Sequence, residues 1–317
     1  MKPEAHENRI AGGQRMDTPE RGPSWRAERD RDGRWTFWLD RPGTSQNSLD
    51  SAALRKLDGL IARLDDDATS LVLRSAKPKG FCAGADLKEL RAFSNVAEVE
   101  AFATFGGRVF DRLAALPIPI VAVLQGVCLG GGFELALACS RRVVLSHATI
   151  GLPEVVLGLL PGWGATRRLP RLIGLAPTLD LLLGGRTIDQ SEALRMRLID
   201  AIAERETLDE TLSRLCDASW SRDAIPLPVD ARERLSSARA SLPDDALRPA
   251  RERILDVLAA ELLDGRDAAP RGLAELVFAP KGREALESFF LSRRPEHGTQ
   301  RDEARGPGAD SRDEPVG

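Results

Sequence analysis

Histidine and cysteine are scarce in this chain, and their scarcity narrows the chemistry before any motif is considered. Only His6, His147 and His297 occur in 317 residues. The first and last lie in polar ends punctuated by Pro and Gly, so a Ser-His-Asp or Cys-His machine would have to be built on His147 alone. Cys82, Cys128, Cys139 and Cys216 show neither Cys-x-x-Cys pairing nor zinc-ligand spacing. No metal site and no disulfide framework is therefore expected, and a reducing cytoplasm is the expected compartment. Long apolar runs are missing too. The longest, near Leu113 to Leu129, is broken by Pro117 and Pro119 well short of the ~18 residues a membrane span needs. The first twenty residues carry charges of both signs and no apolar stretch, so they do not read as a secretory signal. An excess of one charge is also absent: 45 basic against 48 acidic side chains leave a net charge of −3, which argues against general affinity for nucleic acid.

What remains is the composition of a globular protein, 42% hydrophobic and 29% charged, long enough for two domains or one large one. Residues 1–24 and 296–317 are rich in Arg, Asp, Glu, Gly and Pro and read as disordered tails. Between them the expected division is an α/β core over 25–220 and a helical segment over 221–295. Trp35 to Leu39 reads as a strand, and Ser48 or Asp50 as the cap of a helix with Leu54, Leu57, Leu60, Ile61 and Leu64 at helical spacing. Ser70 to Arg74 is a short strand, followed by a loop from Ala76 to Gly84. A helix from Val96 to Leu116 is ended by Pro117. Ile118 to Leu124 is a continuous apolar strand of the kind buried on both faces. A glycine turn then enters a helix from Gly132, Arg142 to Leu145 is another strand, and from about Thr187 the pattern is mostly helical. Strand and helix in alternation through residues 35–150 point to an α/β fold.

Two loops place small residues directly after a strand, where backbone N–H groups can approach a ligand closely. The first is Phe81-Cys82-Ala83-Gly84-Ala85-Asp86-Leu87 and the second Leu129-Gly130-Gly131-Gly132-Phe133-Glu134. A pair of such N–H groups is what stabilisation of a developing enolate oxygen requires, each worth ~3 kcal/mol of barrier. The helix starting near Gly132 would point its positive end at the same place. A triple glycine is also consistent with a close helix-to-strand contact, and neither nucleotide-binding glycine fingerprint occurs. Glu134 and Glu154 complete the constellation, because two carboxylates flanked by apolar residues near one cleft can divide the roles of base and acid. The plainer alternative has Glu134 countering a helix N-terminus and Glu154 pairing with Arg167 or Arg168.

The two loops, together with Gly151-Leu-Pro-Glu154-Val-Val-Leu-Gly-Leu-Leu-Pro161-Gly162, resemble the crotonase superfamily of enoyl-CoA hydratases and isomerases. The likeness covers about Trp35 to Arg294 and extends to Ser75-Ala-Lys-Pro78, Arg168-Leu-Pro-Arg-Leu-Ile-Gly174 and Ala250-Arg-Glu-Arg-Ile-Leu-Asp256. The resemblance implies a ββα spiral core with a helical C-terminal part, assembled as trimers or pairs of trimers, acting on an acyl-CoA ester with no separate cofactor. It implies that the N–H groups of Ala83 and Gly131 hold the thioester oxygen, and that Ala83, Gly84, Ala85 and Asp86 line the thioester and pantetheine, with Gly162 also at the substrate. It further implies that Glu134 activates water for attack at C3 while Glu154 delivers a proton to C2. With Glu154 as a lone base, the same fold would be a Δ3,Δ2-enoyl-CoA isomerase, and decarboxylases and thioesterases share the same oxyanion hole.

Several positions depart from the family pattern. Ser140 stands where Asp is common, Ala165 and Arg167 replace Gly and Gln, and Trp163 is bulky beside the expected acyl cleft. Arg197 occupies a place where Gly commonly ends a helix, so it must tolerate positive φ unless the turn differs. The helical stretch around Leu276, Val277, Phe278, Phe289 and Phe290, interrupted at Pro280, is expected either to cover the acyl site or to make subunit contacts. A reading from another class is a non-catalytic, RNA-binding scaffold. Thirty-nine arginines against six lysines, with Arg167, Arg168 and Arg171 clustered, would supply its phosphate contacts.

Overall fold

The structure is a computed structural model and describes residues 24–217 and 224–291. The tails therefore lie outside the described residues except for Ser24, whose carbonyl accepts the Asp40 N–H at 2.8 Å. That bond ties Ser24 to the first hairpin. The 220/221 boundary also falls outside the described residues.

Eight strands form one sheet. β1 (Trp25–Arg29) and β2 (Arg34–Leu39) make an antiparallel hairpin, and β2 pairs in parallel with β3 (Ser70–Ser75) across α1 (Ser51–Ile61). Of the two candidate caps for α1, Asp50 is the one used, accepting from Ala53 N at 2.7 Å. β4 (Gly80–Cys82) lies inside the segment expected to be loop. Then come α2 (Leu87–Ala92), α3 (Val96–Ala114) and β5 (Ile120–Leu129). β5 pairs with β3 through Ile120–Ala122 and with β4 through Gly126–Cys128. The changeover falls at Gly126, where φ is +51° and a Cβ would lie 2.2 Å from the Lys79 carbonyl oxygen, so only glycine fits.

α4 (Gly131–Leu137) leads to β6 (Arg141–Gly151), which runs parallel to β5 and is interrupted at Ser146, φ +61°. A single 3₁₀ turn, Pro153–Leu157, follows, then α5 (Ala165–Ile173) and α6 (Leu175–Gly184). β7 (Thr187–Ile188) joins the far half of β6 antiparallel. After α7 (Gln190–Arg195), β8 (Ala201–Ala203) joins the near half in parallel. Two long strands that change partners midway turn the sheet as it advances, as the expected spiral requires.

Both faces of the central strands are buried. Leu71, Leu73, Ile120, Ala122, Leu124 and Val144 enter the main core, while their neighbours Val72, Val121, Val123, Val143 and Leu145 pack with α8 (Leu208–Asp217) on the other side. This explains the unbroken apolar runs. The remaining helices are α9 (Ala231–Ala240), α10 (Arg248–Leu263), α11 (Ala269–Phe278) and α12 (Pro280–Leu291). α11 returns to pack along α3, and α12 lies against α2 and the 3₁₀ turn.

Candidate active site

Ala83, Gly84, Ala85, Gly131, Glu134, Glu154 and Gly162 line one cavity of about 300 Å³. Asp86 does not: its carboxylate caps α2, accepting from Lys88 N (2.8 Å) and Glu89 N (3.2 Å), and it is ion-paired with Arg41. Asp86 thus shapes the loop and, unlike the other expected substrate contacts, is not part of the cavity wall. His147 is exposed on β6, away from the cavity, with Gln190 Nε2 3.3 Å from its Nδ1. All four cysteines are buried free thiols, and burial pushes Cys82 and Cys139 up to about 12, so neither supplies a thiolate. Among the described residues no group of three or more His, Cys, Asp or Glu converges as metal ligands do, and no helix is long and apolar enough to cross a membrane.

The paired N–H groups differ from expectation in one member. Ala83 N–H donates to the Asn47 carbonyl at 2.8 Å and is spent there. Ala85 N–H and Gly131 N–H, by contrast, have no acceptor among the described residues. They face one another. A Cβ placed on Gly131 would lie 3.3 Å from Ala85 N, and one on Gly84, whose φ is +110°, would lie 3.4 Å from Gly131 N. Two unspent donors converging on one cavity are a ready anion cradle. α4 has only seven residues, so the cradle rests on these individual N–H groups more than on a helix dipole.

Glu134 is 1% exposed in the first turn of α4. Its Oε1 accepts two backbone donors, Trp163 N at 2.8 Å and Ala165 N at 2.9 Å. The turn that aims both at one oxygen depends on Gly164, φ +105°, and on Arg168, whose Nη1 donates to the Trp163 carbonyl at 2.8 Å while its Nη2 pairs with Asp111. Burial pushes Glu134 up to about 7, opposed by the two backbone donors and the Arg168 charge. Glu154, in the 3₁₀ turn, is raised well above the usual carboxylate range by burial first and by the neighbouring Glu134 charge second. Its buried Oε2 has no hydrogen-bond partner among the described residues. The alternative pairing of Glu154 with Arg167 or Arg168 does not form, since both arginines pair with Asp111. One carboxylate held by donors and one left bare in a dry wall have their acidities pushed apart, as an acid and base pair requires.

Two of the departures, Ser140 and Arg197, have structural reasons. Ser140 Oγ bridges both backbone groups of Ile120, accepting from its N–H (2.7 Å) and donating to its carbonyl (2.9 Å), and so anchors the start of β5. Arg197 adopts φ +60° after α7, as its place at a helix end demands. The cavity wall also includes Gln46, Leu273 and Phe289. Phe289 belongs to the helical stretch expected to cover the site, whereas nothing in the local pattern marked Gln46 or Leu273.

A family model described as enoyl-CoA hydratase/isomerase matches residues 36–239. Among curated proteins, the fatty acid oxidation complex subunit alpha of Vibrio cholerae is 36% identical over 280 residues, 80% of this chain and 39% of that protein. The chain thus spans about two fifths of the length of the curated relatives it matches. Among solved structures, an enoyl-CoA hydratase from Bacillus anthracis aligns with a TM-score of 0.57 at 28% identity, covering 85% of this chain and 97% of that one. Pseudomonas aeruginosa DspI aligns with a TM-score of 0.58 at 26% identity, covering 88% and 98%. With Glu134 and Glu154 facing one cavity on a mixed α/β spiral, and a family match over residues 36–239, this chain belongs to the enoyl-CoA hydratase/isomerase family and has the crotonase fold.

Proposed function

We propose that the protein is a 2-enoyl-CoA hydratase, adding water across the C2–C3 double bond of an enoyl-CoA thioester. The observation that carries this reading is the pair of glutamates, Glu134 buried and Glu154 with one buried oxygen, beside two unspent N–H donors. Ala85 N–H and Gly131 N–H donate to the thioester oxygen and stabilise the charge it gains as the enolate forms. Glu134, ionised, removes a proton from water while the hydroxyl bonds to C3. Glu154, neutral, releases its proton to C2, so water is added and the two carboxyls have exchanged protonation states. Coenzyme A belongs to the substrate, and no separate cofactor enters the step. A cytoplasmic setting is part of the same reading, supported by four thiols left unpaired.

Loss of the conjugated-thioester absorbance of an enoyl-CoA, with a 3-hydroxyacyl-CoA as product, tests the proposal. No change over hours with short and long enoyl esters would end it. If a 3-enoyl-CoA is consumed faster than its 2-enoyl isomer, the reaction is double-bond isomerisation instead. The scaffold reading loses its local support because Arg167 and Arg168 are already paired with Asp111.

A further inference from the structure

Trp163 occupies an unusual position in the cavity. It is only 2% exposed and forms part of the lining, and it is locked from two sides by glycines. A Cβ on Gly131 would fall 2.2 Å from its Cζ3, and a Cβ on Gly106 of α3 would fall 2.3 Å from its Nε1. Phe102 and Phe110, also on α3, meet the indole edge-on with ring centroids 5.4 and 5.5 Å away. The buried Nε1 has no hydrogen-bond partner among the described residues, so shape and aromatic packing alone fix the ring. The indole therefore fills the gap between α3 and the start of α4, immediately beyond Glu134, whose Oε1 its own backbone N–H holds. The cavity it leaves, about 300 Å³, is at the low end of the range for ligand pockets, and it must also admit the thioester and the attacking water.

We propose that Trp163 is the specificity-determining floor of the acyl pocket, seated by Gly106 and Gly131, and that it restricts the enzyme to short-chain acyl-CoA esters. The argument rests on the reading of this cavity as an acyl-CoA site. With the thioester oxygen at Ala85 and Gly131 and C3 beside Glu134, the chain beyond C3 runs onto the indole face.

The test is equilibrium binding of butyryl-, octanoyl- and palmitoyl-CoA to the full chain, alongside kcat/KM for the matching 2-enoyl esters. These saturated esters report binding without chemistry. The wild type should bind butyryl-CoA at least roughly tenfold more tightly than palmitoyl-CoA. Trp163→Ala should reverse that order by opening the gap between α3 and α4. Trp163→Phe, which keeps an aromatic ring against Phe102 and Phe110, should give an intermediate profile and serves if the alanine variant folds poorly. Gly106→Ala, which drives the ring toward the cavity, should weaken octanoyl-CoA binding further. Equal affinity of the wild type for butyryl- and palmitoyl-CoA, or an unchanged chain-length profile in folded Trp163 variants, overturns the proposal. A shifted binding profile in a protein that hydrates no enoyl ester upholds the pocket and removes only the hydratase reading. Failure to bind any acyl-CoA ester removes both.

Discussion

At the residue scale the two carboxylates carry the sharpest consequences. Replacing Glu134 or Glu154 by Gln removes a proton carrier with little change in shape, so kcat should fall ~10²–10⁴-fold while acyl-CoA affinity is nearly kept. Steady-state rates and equilibrium binding on the same preparations separate the two effects. Because Glu134 must be ionised and is pushed up to about 7, kcat/KM should fall about tenfold per pH unit below that value. Stability follows the opposite course. A carboxyl whose pKa is raised by folding contributes most below its unfolded value, 4.5 for Glu134, and loses that contribution as pH rises through the folded one. The thermal midpoint of Glu134→Gln should therefore gain on the wild type between pH 5 and about 8, and parallel midpoints across that window would refute the burial argument. Both glutamates, Gly131 and the Gly84-Ala85 pair were legible in the sequence, because small residues and apolar-flanked carboxylates are local signals. The state of the Ala83 N–H was not. Its acceptor is the carbonyl of Asn47 on a separate loop, and no pattern around Ala83 announces that pairing.

Among the elements, the long helices and central strands followed from apolar period and, for α1, from the cap at Asp50; the Asn95 cap of α3 is a finding of the structure. β1 escaped notice because it is an edge strand whose outward positions are Arg26, Glu28 and charged neighbours, and only Trp25 at its start is fully buried. The helical end of α4 holds a less visible dependence. Arg142, 2% exposed, donates to the carbonyls of Ala136 (3.1 Å), Cys139 (2.7 Å) and Leu198 (2.6 Å). It satisfies the C-terminal oxygens of the helix whose other end carries Glu134. Arg142→Ala takes the guanidinium donors from these buried carbonyls and removes one arginine from Asp200, leaving Arg141 at 3.6 Å. A loss of ~3–5 kcal/mol in urea unfolding is expected, and a change within error would show that water replaces the guanidinium.

For the whole molecule, the helical C-terminal segment matters most. Ala274 lies in the middle of α11, which packs along α3, so a cut there breaks the core. A cut after Ala279 is cleaner, because it spares α11 and removes α12 with the residues that follow it. It exposes the seat of Leu286, fully buried, and takes Phe289 from the cavity wall. Such a protein should lose ~2 kcal/mol or more of stability and bind acyl-CoA esters more weakly, while retaining the circular dichroism of the spiral core. Unchanged affinity would mean that α12 is no cover. A trimer or pair of trimers, proposed from the resemblance, is checked by light scattering of the full chain, and a monomer would end that proposal.

The span of the cavity wall also sets an order of events in the cell. Its residues run from Gln46 to Phe289, and a chain made at ~5–20 residues per second exposes Glu154 on the order of ten seconds before Phe289 has been added. Through most of that interval Glu134, Glu154 and Trp163 have been made, while α12, which brings Phe289 to the wall, has not. The wall of the cavity is thus complete only late in synthesis, once the last helix has been made.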